Sequence, residues 1–334
     1  MDSNVGIAEF TRSVQTIRAY LERGEQLWYR AANAHEIPYY ELKADQFISY
    51  LVVLLPILKK ATRRQYLASA REHLNQLVDC QNIEIKRPFI YLHDVEKLGK
   101  LKASDFESDL ELKKNTKLNT SEQKAKKINY KDIKTLIEGT KDLQLKWIQP
   151  AIVWVVANIL VGLRPIEWRQ AELVKWDNHQ LMLKVVNAKN SNNRAHGEFR
   201  HIDCSYLNSV ELGLLRKQLS ISSSNSQDDK SWQNYYEGCR KTIHAFTRKY
   251  LSKRKKYPTL YSTRHQFAAN AKSAGMSKVE VAALLGHATD QTAGFHYGKK
   301  KHGSGGCKVK GVRADMQKIK VISNSTLYEH HSDF

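Results

Sequence analysis

The run LKKNTKLNTSEQKAKK, residues 112–127, constrains the fold more than any other feature. It holds Lys113, Lys114, Lys117, Lys124, Lys126 and Lys127 among Ser, Thr and Asn, with no aromatic residue. Such a stretch has too little apolar surface to bury, so no single core can run through it. It reads as a flexible interdomain linker over 100–128. A chain of 334 residues is also long enough for two domains at about 150 residues each. Two separate cores are expected, 1–99 and 129–301, followed by a tail over 302–334.

The first part reads as helical. Val5, Ile7, Ala8, Phe10, Val14, Ile17, Tyr20 and Leu21 recur near the helical period, predicting a helix over 5–34. A second apolar-striped segment covers 39–57, where Pro56 would end or kink it. A third covers 61–78, with Tyr66, Leu67, Ala70, Leu74 and Leu77 on one face and Arg63, Arg64 and Arg71 on the rest. The second part mixes periods. Helices are expected over 130–139, 143–161 and 164–171, the last opening on Pro165. The short alternating runs LVKW, LMLKVV and EFRHID predict strands. Helices resume over 205–220, 230–251, 260–274, 278–285 and 289–298. Gly275 and Gly286 serve as stops, and Ser277 with Glu280 as a capping box. The fold class is therefore mainly α with a small β-sheet.

Charge narrows the partners. Lys and Arg number 54 against 34 Asp and Glu, a net +20. That field favours polyanions, nucleic acid first and an anionic membrane surface second. The most apolar runs, 50–58 and 151–163, are too short to span a bilayer, and the second contains Asn158. The start MDSNVG lacks a basic region followed by an apolar one, so no secretory signal is expected. Cys80, Cys204, Cys239 and Cys307 form no CxxC pair and suit a reducing compartment. The expected setting is cytoplasmic, at the nucleoid. Segment 240–256 carries eight basic residues and no acidic one. Lys249, Lys253 and Arg254 there, with Arg63, Arg64 and Arg71, are the candidate phosphate contacts.

No GxxxxGK[ST], GxGxxG after a strand, HExxH or GxSxG occurs, so no cofactor and no metal site is expected. Four segments of the second part remain: Gly162-Leu-Arg164-Pro-Ile-Glu167, Lys189 in the NAKN turn, Tyr261-Ser-Thr-Arg264-His265, and Leu285-Gly-His287 followed ten residues later by Tyr297. Alone, each has an ordinary reading. Arg164 would be a surface charge at a helix start, Lys189 a solvated turn residue, His287 a helix cap and Tyr297 a core aromatic. In this order and spacing they resemble the tyrosine recombinase (phage integrase) family over roughly 128–300, and more weakly over 39–80.

That resemblance implies a helical core-binding-like domain, then a mixed α/β catalytic domain that cuts and rejoins DNA through a 3′-phosphotyrosyl intermediate, to integrate or excise a mobile element. Tyr297 would attack. Arg164 and Arg264 would neutralise charge on the non-bridging oxygens, Lys189 would protonate the leaving 5′ oxygen, and His287 would assist. Lys184 on the preceding strand competes with Lys189. Tyr261 stands where the family usually has His, and a phenol there reads as a phosphate ligand rather than a proton carrier. The implied partners are duplex DNA, further copies of the chain in a tetramer on paired sites, and accessory DNA-bending factors. The 302–334 tail would dock on a neighbouring copy. The Gly298-Lys-Lys flank places Tyr297 on an exposed element beside phosphate. Two alternatives share part of this reading: type IB topoisomerase-like relaxation and a non-catalytic DNA-binding relative.

Overall fold

A computed structural model describes residues 14–80, 90–106, 125–176, 180–188, 190 and 195–322. The chain divides into two compact units, Met1–Lys117 and Leu118–Phe334. The expected linker over 100–128 straddles this division, and its residues 107–124 lie outside the described residues. Among the described residues no helix is long and apolar enough to cross a membrane.

The first unit is helical: α1 (Val14–Ala34), α2 (Ala44–Leu54), α3 (Lys60–Asp79) and α4 (Leu92–Lys100). Residues 5–13 of the expected first helix lie outside the described ones. Pro56 ends α2 in a 3₁₀ turn, Leu55–Ile57, as a residue without an N–H should. Leu27, Trp28, Phe47, Leu51, Leu67 and Leu74 are buried together. α1 and α3 approach so closely that a Cβ on Gly24 would strike the Ser69 carbonyl.

Two arginines expected to face a polyanion instead bond within this unit, Arg63 buried and Arg71 half-buried. Arg63 is 5% exposed. Its Nε donates to Leu58 O at 2.7 Å and one Nη to Ala103 O at 3.3 Å. Arg71 donates to Gly99 O at 3.0 Å and Leu101 O at 2.6 Å, occupying carbonyls that the end of α4 leaves open. Arg63 is thereby corrected as a phosphate contact, because its guanidinium is buried against backbone carbonyls; Arg71 is half-buried and bonded to the carbonyls after α4. Arg64, one residue from Arg63, is exposed.

The second unit wraps helices around a four-stranded antiparallel sheet of order β1-β2-β3-β4. Its elements are α5 (Tyr130–Thr140), α6 (Ile148–Val161), β1 (Glu172–Lys175), β2 (Leu181–Val186), β3 (Phe199–Asp203), α7 (Ser209–Ser224), α8 (Asp229–Tyr250), α9 (Leu260–Ser273), α10 (Lys278–Leu284), α11 (Gln291–His296), β4 (Lys310–Gly311) and α12 (Arg313–Met316). α7 starts later than expected because Asn208 caps it, its side chain accepting from Glu211 N at 2.9 Å. The segment expected as a helix over 164–171 is a short 3₁₀ turn, Pro165–Arg169. The apolar α6 is buried through Trp154, Val155 and Val161. Leu183 of β2 lies between Leu173 and Ile202 in register and packs into the same core.

Two sequence expectations change at the C-terminal end. Ser277 caps α10, accepting from Glu280 N, but the Glu280 carboxylate does not close a box; it accepts from Gly311 N at 3.2 Å. Nor is 302–322 a tail. β4 pairs with β3, Asp315 accepts from His201 N at 2.7 Å, Ile319 packs on Ala282 and Ala283, and Lys320 N donates to Ala288 O. The segment expected to dock on another copy is tied by these bonds to its own unit. Residues 323–334 lie outside the described ones.

Candidate active site

The pocket is built where α6 ends. Gly162 takes φ 68°, a left-handed cap, and a Cβ on it would strike the Phe267 ring. The chain then turns, and Pro165 opens the 3₁₀ turn with Arg164 just before it. Arg164 is 6% exposed and Glu167 is buried. The Arg164 backbone N–H donates to Glu167 Oε2 at 2.7 Å, and its Nη1 donates to Oε1 at 2.6 Å. Arg164 Nε is buried and has no hydrogen-bond partner among the described residues.

Arg264 lies in the first turns of α9, fully buried. Its Nη1 donates to Gly162 O at 2.7 Å and its Nη2 to Leu285 O at 2.6 Å, tying the ends of α6 and α10 together. Its Nε donates to the Tyr297 hydroxyl at 3.2 Å. The two arginines expected to act as equivalent forks therefore differ. Arg264 spends its N–H groups inside the protein, whereas Arg164 keeps an unpaired one.

A third guanidinium escaped the sequence reading. Arg200 of β3 is fully buried; it donates to Glu167 Oε2 at 2.7 Å, to Leu284 O at 3.0 Å and to Asn187 Oδ1. The available signal was its place two residues from Ile202, on the buried face of an alternating strand. Burial would push the Glu167 carboxyl up, but Arg200, Arg264 and Arg164 around it hold it well below the usual carboxylate range. Three guanidiniums against one carboxylate leave the cluster with excess positive charge.

His287 follows Gly286, whose φ is 64° and whose absent Cβ leaves room for Asn187 and Arg200. The imidazole is buried, 3.5 Å from Arg264 Nη2, and its Nδ1 lacks a partner. Burial and then Arg264, Arg164 and Arg200 depress its basicity, so it is neutral at pH 7. Its ring lies 5.0 Å from the Tyr297 ring, and that of His265 lies 5.1 Å away. His265 is also neutral, lowered to about 4 by burial and by Lys126, Arg264 and Lys272.

Tyr297 sits at the end of α11 and is only 8% exposed. The exposed setting expected from Gly298-Lys-Lys does not hold, because Gly298 packs on the His265 carbonyl. Burial alone would raise the Tyr297 phenol. Arg264, the hydrogen bond with Tyr261 and Arg164 outweigh it and lower the phenol to about 8. The Tyr261 hydroxyl lies 3.0 Å from the Tyr297 hydroxyl.

Lys189 lies outside the described residues. The hairpin that carries it reaches the cluster, since Ala188 N contacts Glu167 Oε1 at 3.4 Å and Asn187 donates to Gly197 O at 2.8 Å. Lys184 is engaged elsewhere, 3.1 Å from Glu172 Oε1 and over the Phe199 ring. Arg254 is half-buried and bonded to Asp132 at 2.6 Å and to Lys127 O at 3.2 Å. Lys249 and Lys253 are exposed. Among the described residues no group of His, Cys, Asp and Glu could hold a metal ion.

No family model matches the chain, and no curated protein matches it. Solved structures of site-specific recombinases do resemble it. The XerH site-specific recombinase bound to its difH substrate is 14% identical, with TM-score 0.47, over 85% of this chain and 76% of that one. A λ integrase dimer bound to a COC′ core site is 13% identical, with TM-score 0.46, over 87% and 73%. The Tn1549 transposon integrase in complex with a circular-intermediate DNA is 11% identical, with TM-score 0.41, over 85% and 93%. At such values the likeness decides nothing about chemistry; the side chains of the pocket do.

Proposed function

We propose that the chain is a tyrosine recombinase, a site-specific integrase that cuts and rejoins duplex DNA through a phosphotyrosyl bond. One observation carries this reading: a buried tyrosine oxygen bonded to a buried guanidinium, with its phenol lowered toward neutrality. An ordinary core tyrosine has its phenol raised by burial, as Tyr235 does here.

Tyr297 loses its proton to solvent and its oxygen attacks the scissile phosphorus. An O–P bond forms, the bond to the 5′ oxygen breaks, and that oxygen takes a proton from Lys189. Arg164, with its unpaired Nε, and the net charge of the cluster stabilise the negative charge that builds on the non-bridging oxygens. Glu167 and Arg200 hold the arginines in place. The phosphotyrosyl ester keeps the bond energy, so a hydroxyl from another strand reverses the step. Exposed basic residues of each unit, Arg64 in the first and Lys249 and Lys253 in the second, meet the duplex; further copies of the chain and DNA-bending factors complete the synapse.

The test is a nicked duplex that traps the covalent step, incubated in EDTA. Wild type is expected to form a protein–DNA adduct on Tyr297 with a free 5′ hydroxyl. Tyr297→Phe is expected to bind DNA and form none. An adduct that persists in Tyr297→Phe removes Tyr297 as the nucleophile.

A further inference from the structure

The contact between two phenols has a consequence beyond charge neutralisation. Tyr261 stands where a phosphate ligand was expected, yet its hydroxyl meets Tyr297 at 3.0 Å. We infer that Tyr261 is a catalytic residue that acts on the nucleophile itself: its hydroxyl donates to the Tyr297 oxygen and holds that oxygen as the attacking phenolate. The inference rests on the proposed role of Tyr297 and assigns its activation.

Valence decides the direction of the bond. Arg264 Nε can only donate, so the Tyr297 oxygen accepts from it at 3.2 Å. A neutral Tyr297 still has its own proton, and either phenol can then donate to the other. Once Tyr297 ionises, its oxygen only accepts, and Tyr261 must be the donor. Two buried phenols sharing a proton do not both ionise, because the second charge would face the first. Arg264 bonds to Tyr297 and not to Tyr261, so the charge settles on Tyr297. Burial keeps Tyr261 protonated, well above the ordinary phenol.

The surroundings leave these groups in control. α9 presents Tyr261, Arg264 and His265 to Tyr297, and the turn after α10 presents His287. The turn after α6 presents Arg164, with Glu167 behind it. Lys299 and Lys300 follow on the same strand of chain and are exposed. Both histidines are neutral at pH 7 and supply no charge. Tyr261 cannot accept a proton near neutral pH, and burial and the neighbouring cations make His265 and His287 poor proton acceptors, so the Tyr297 proton passes to solvent. Cleavage should therefore follow the ionisation of Tyr297, rising through about pH 8.

The experiment uses the full chain and reads ionised tyrosine by ultraviolet absorbance as pH is raised. Subtracting the Tyr297→Phe titration from that of wild type isolates Tyr297, and the same subtraction is made in a Tyr261→Phe background. The Tyr297 midpoint is expected to rise by about one pH unit without the Tyr261 hydroxyl, leaving roughly tenfold less phenolate at pH 7. The pH profile of adduct formation on the nicked duplex is expected to move by the same amount. An unmoved midpoint overturns the inference. So does a loss of rate that is uniform across pH, which would make Tyr261 a phosphate ligand. Tyr261→Met fills the site with a flexible apolar side chain and gives the same readout should the Phe variant fold poorly. The absorbance titration needs no DNA, so its outcome is separate from that of the adduct test. A wild type that shows the low midpoint but never links to DNA breaks the recombinase reading alone.

Discussion

Both units bond arginines internally, and they use them in opposite ways. In the first unit, Arg63 and Arg71 spend their guanidiniums on backbone carbonyls, sealing the approach to α3 and the end of α4. In the second, Arg164, Arg200 and Arg264 surround one carboxylate, Glu167, and leave positive charge uncompensated. A guanidinium tied to backbone carbonyls of its own unit is a structural part. A buried charge in excess, with an N–H left open, is poised for an anion. The lesson is that burial of an arginine says little until its donors are counted. Within the second unit the same count separates Arg200, whose bonds run to Glu167, Asn187 and Leu284, from Arg164, whose Nε has none.

The largest effect is expected at Arg200. Arg200→Met leaves Glu167 with one partner fewer and strands Asn187 and the Leu284 carbonyl. Removing one member of a buried pair costs about 3–5 kcal/mol. Denaturant unfolding should show that loss, and adduct formation should fall with it. A variant as stable as wild type would mean that the cluster does not depend on its inner guanidinium.

Arg164→Ala is expected to behave differently. Glu167 keeps Arg200 and Arg264, so the fold and most DNA affinity should survive. The rate of adduct formation should drop on the order of 10²–10³-fold, the usual loss when one donor to developing charge is removed. Single-turnover cleavage measured at saturating protein checks this. Unchanged cleavage would make Arg164 a second Arg200, structural only. Arg264 cannot make so clean a test, because it also ties the ends of α6 and α10.

How much of this was legible follows from the range of each interaction. The turn through Gly162, Arg164 and Glu167 is local: a left-handed glycine, a proline after the arginine and a carboxylate three residues on. The resemblance singles out its residues, whereas spacing alone predicts a helix there in place of the 3₁₀ turn. Ala188 and Arg200 reach Glu167 from the two sides of a hairpin, and no short window contains all three. The surviving clue, a charge on the Ile202 face of β3, identifies burial without naming a partner. Arg63 and Arg71 fall on the stripe that also holds Leu67 and Leu74, at spacings of three and four. The helical period therefore put them on the core side, and net charge argued them away from it. Tyr261 was found by its place relative to Arg264, but its partner lies 36 residues along the chain, and only the fold supplies it.

The smallest effects sharpen the comparison most, because they fall on adjacent residues. Arg63 and Arg64 share a helix and a charge, but Arg63 is buried and Arg64 exposed. Arg63→Gln leaves the Leu58 and Ala103 carbonyls short of a donor and should cost about 1–3 kcal/mol of stability. Its effect on the salt dependence of DNA binding should be nil, since its guanidinium is held against internal carbonyls at 5% exposure. Arg64→Gln removes no internal bond, so stability should stay within about 0.5 kcal/mol of wild type. Where α3 faces the duplex, each phosphate contact releases condensed counterions, and losing one should flatten the log–log salt slope by about 0.9. Thermal unfolding and binding isotherms at several salt concentrations, run side by side on the two variants, read both quantities. Equal stability losses would mean that burial does not separate the pair. A salt slope that changes for Arg63→Gln and not for Arg64→Gln would return the buried arginine to the DNA and turn the exposed face of α3 toward solvent.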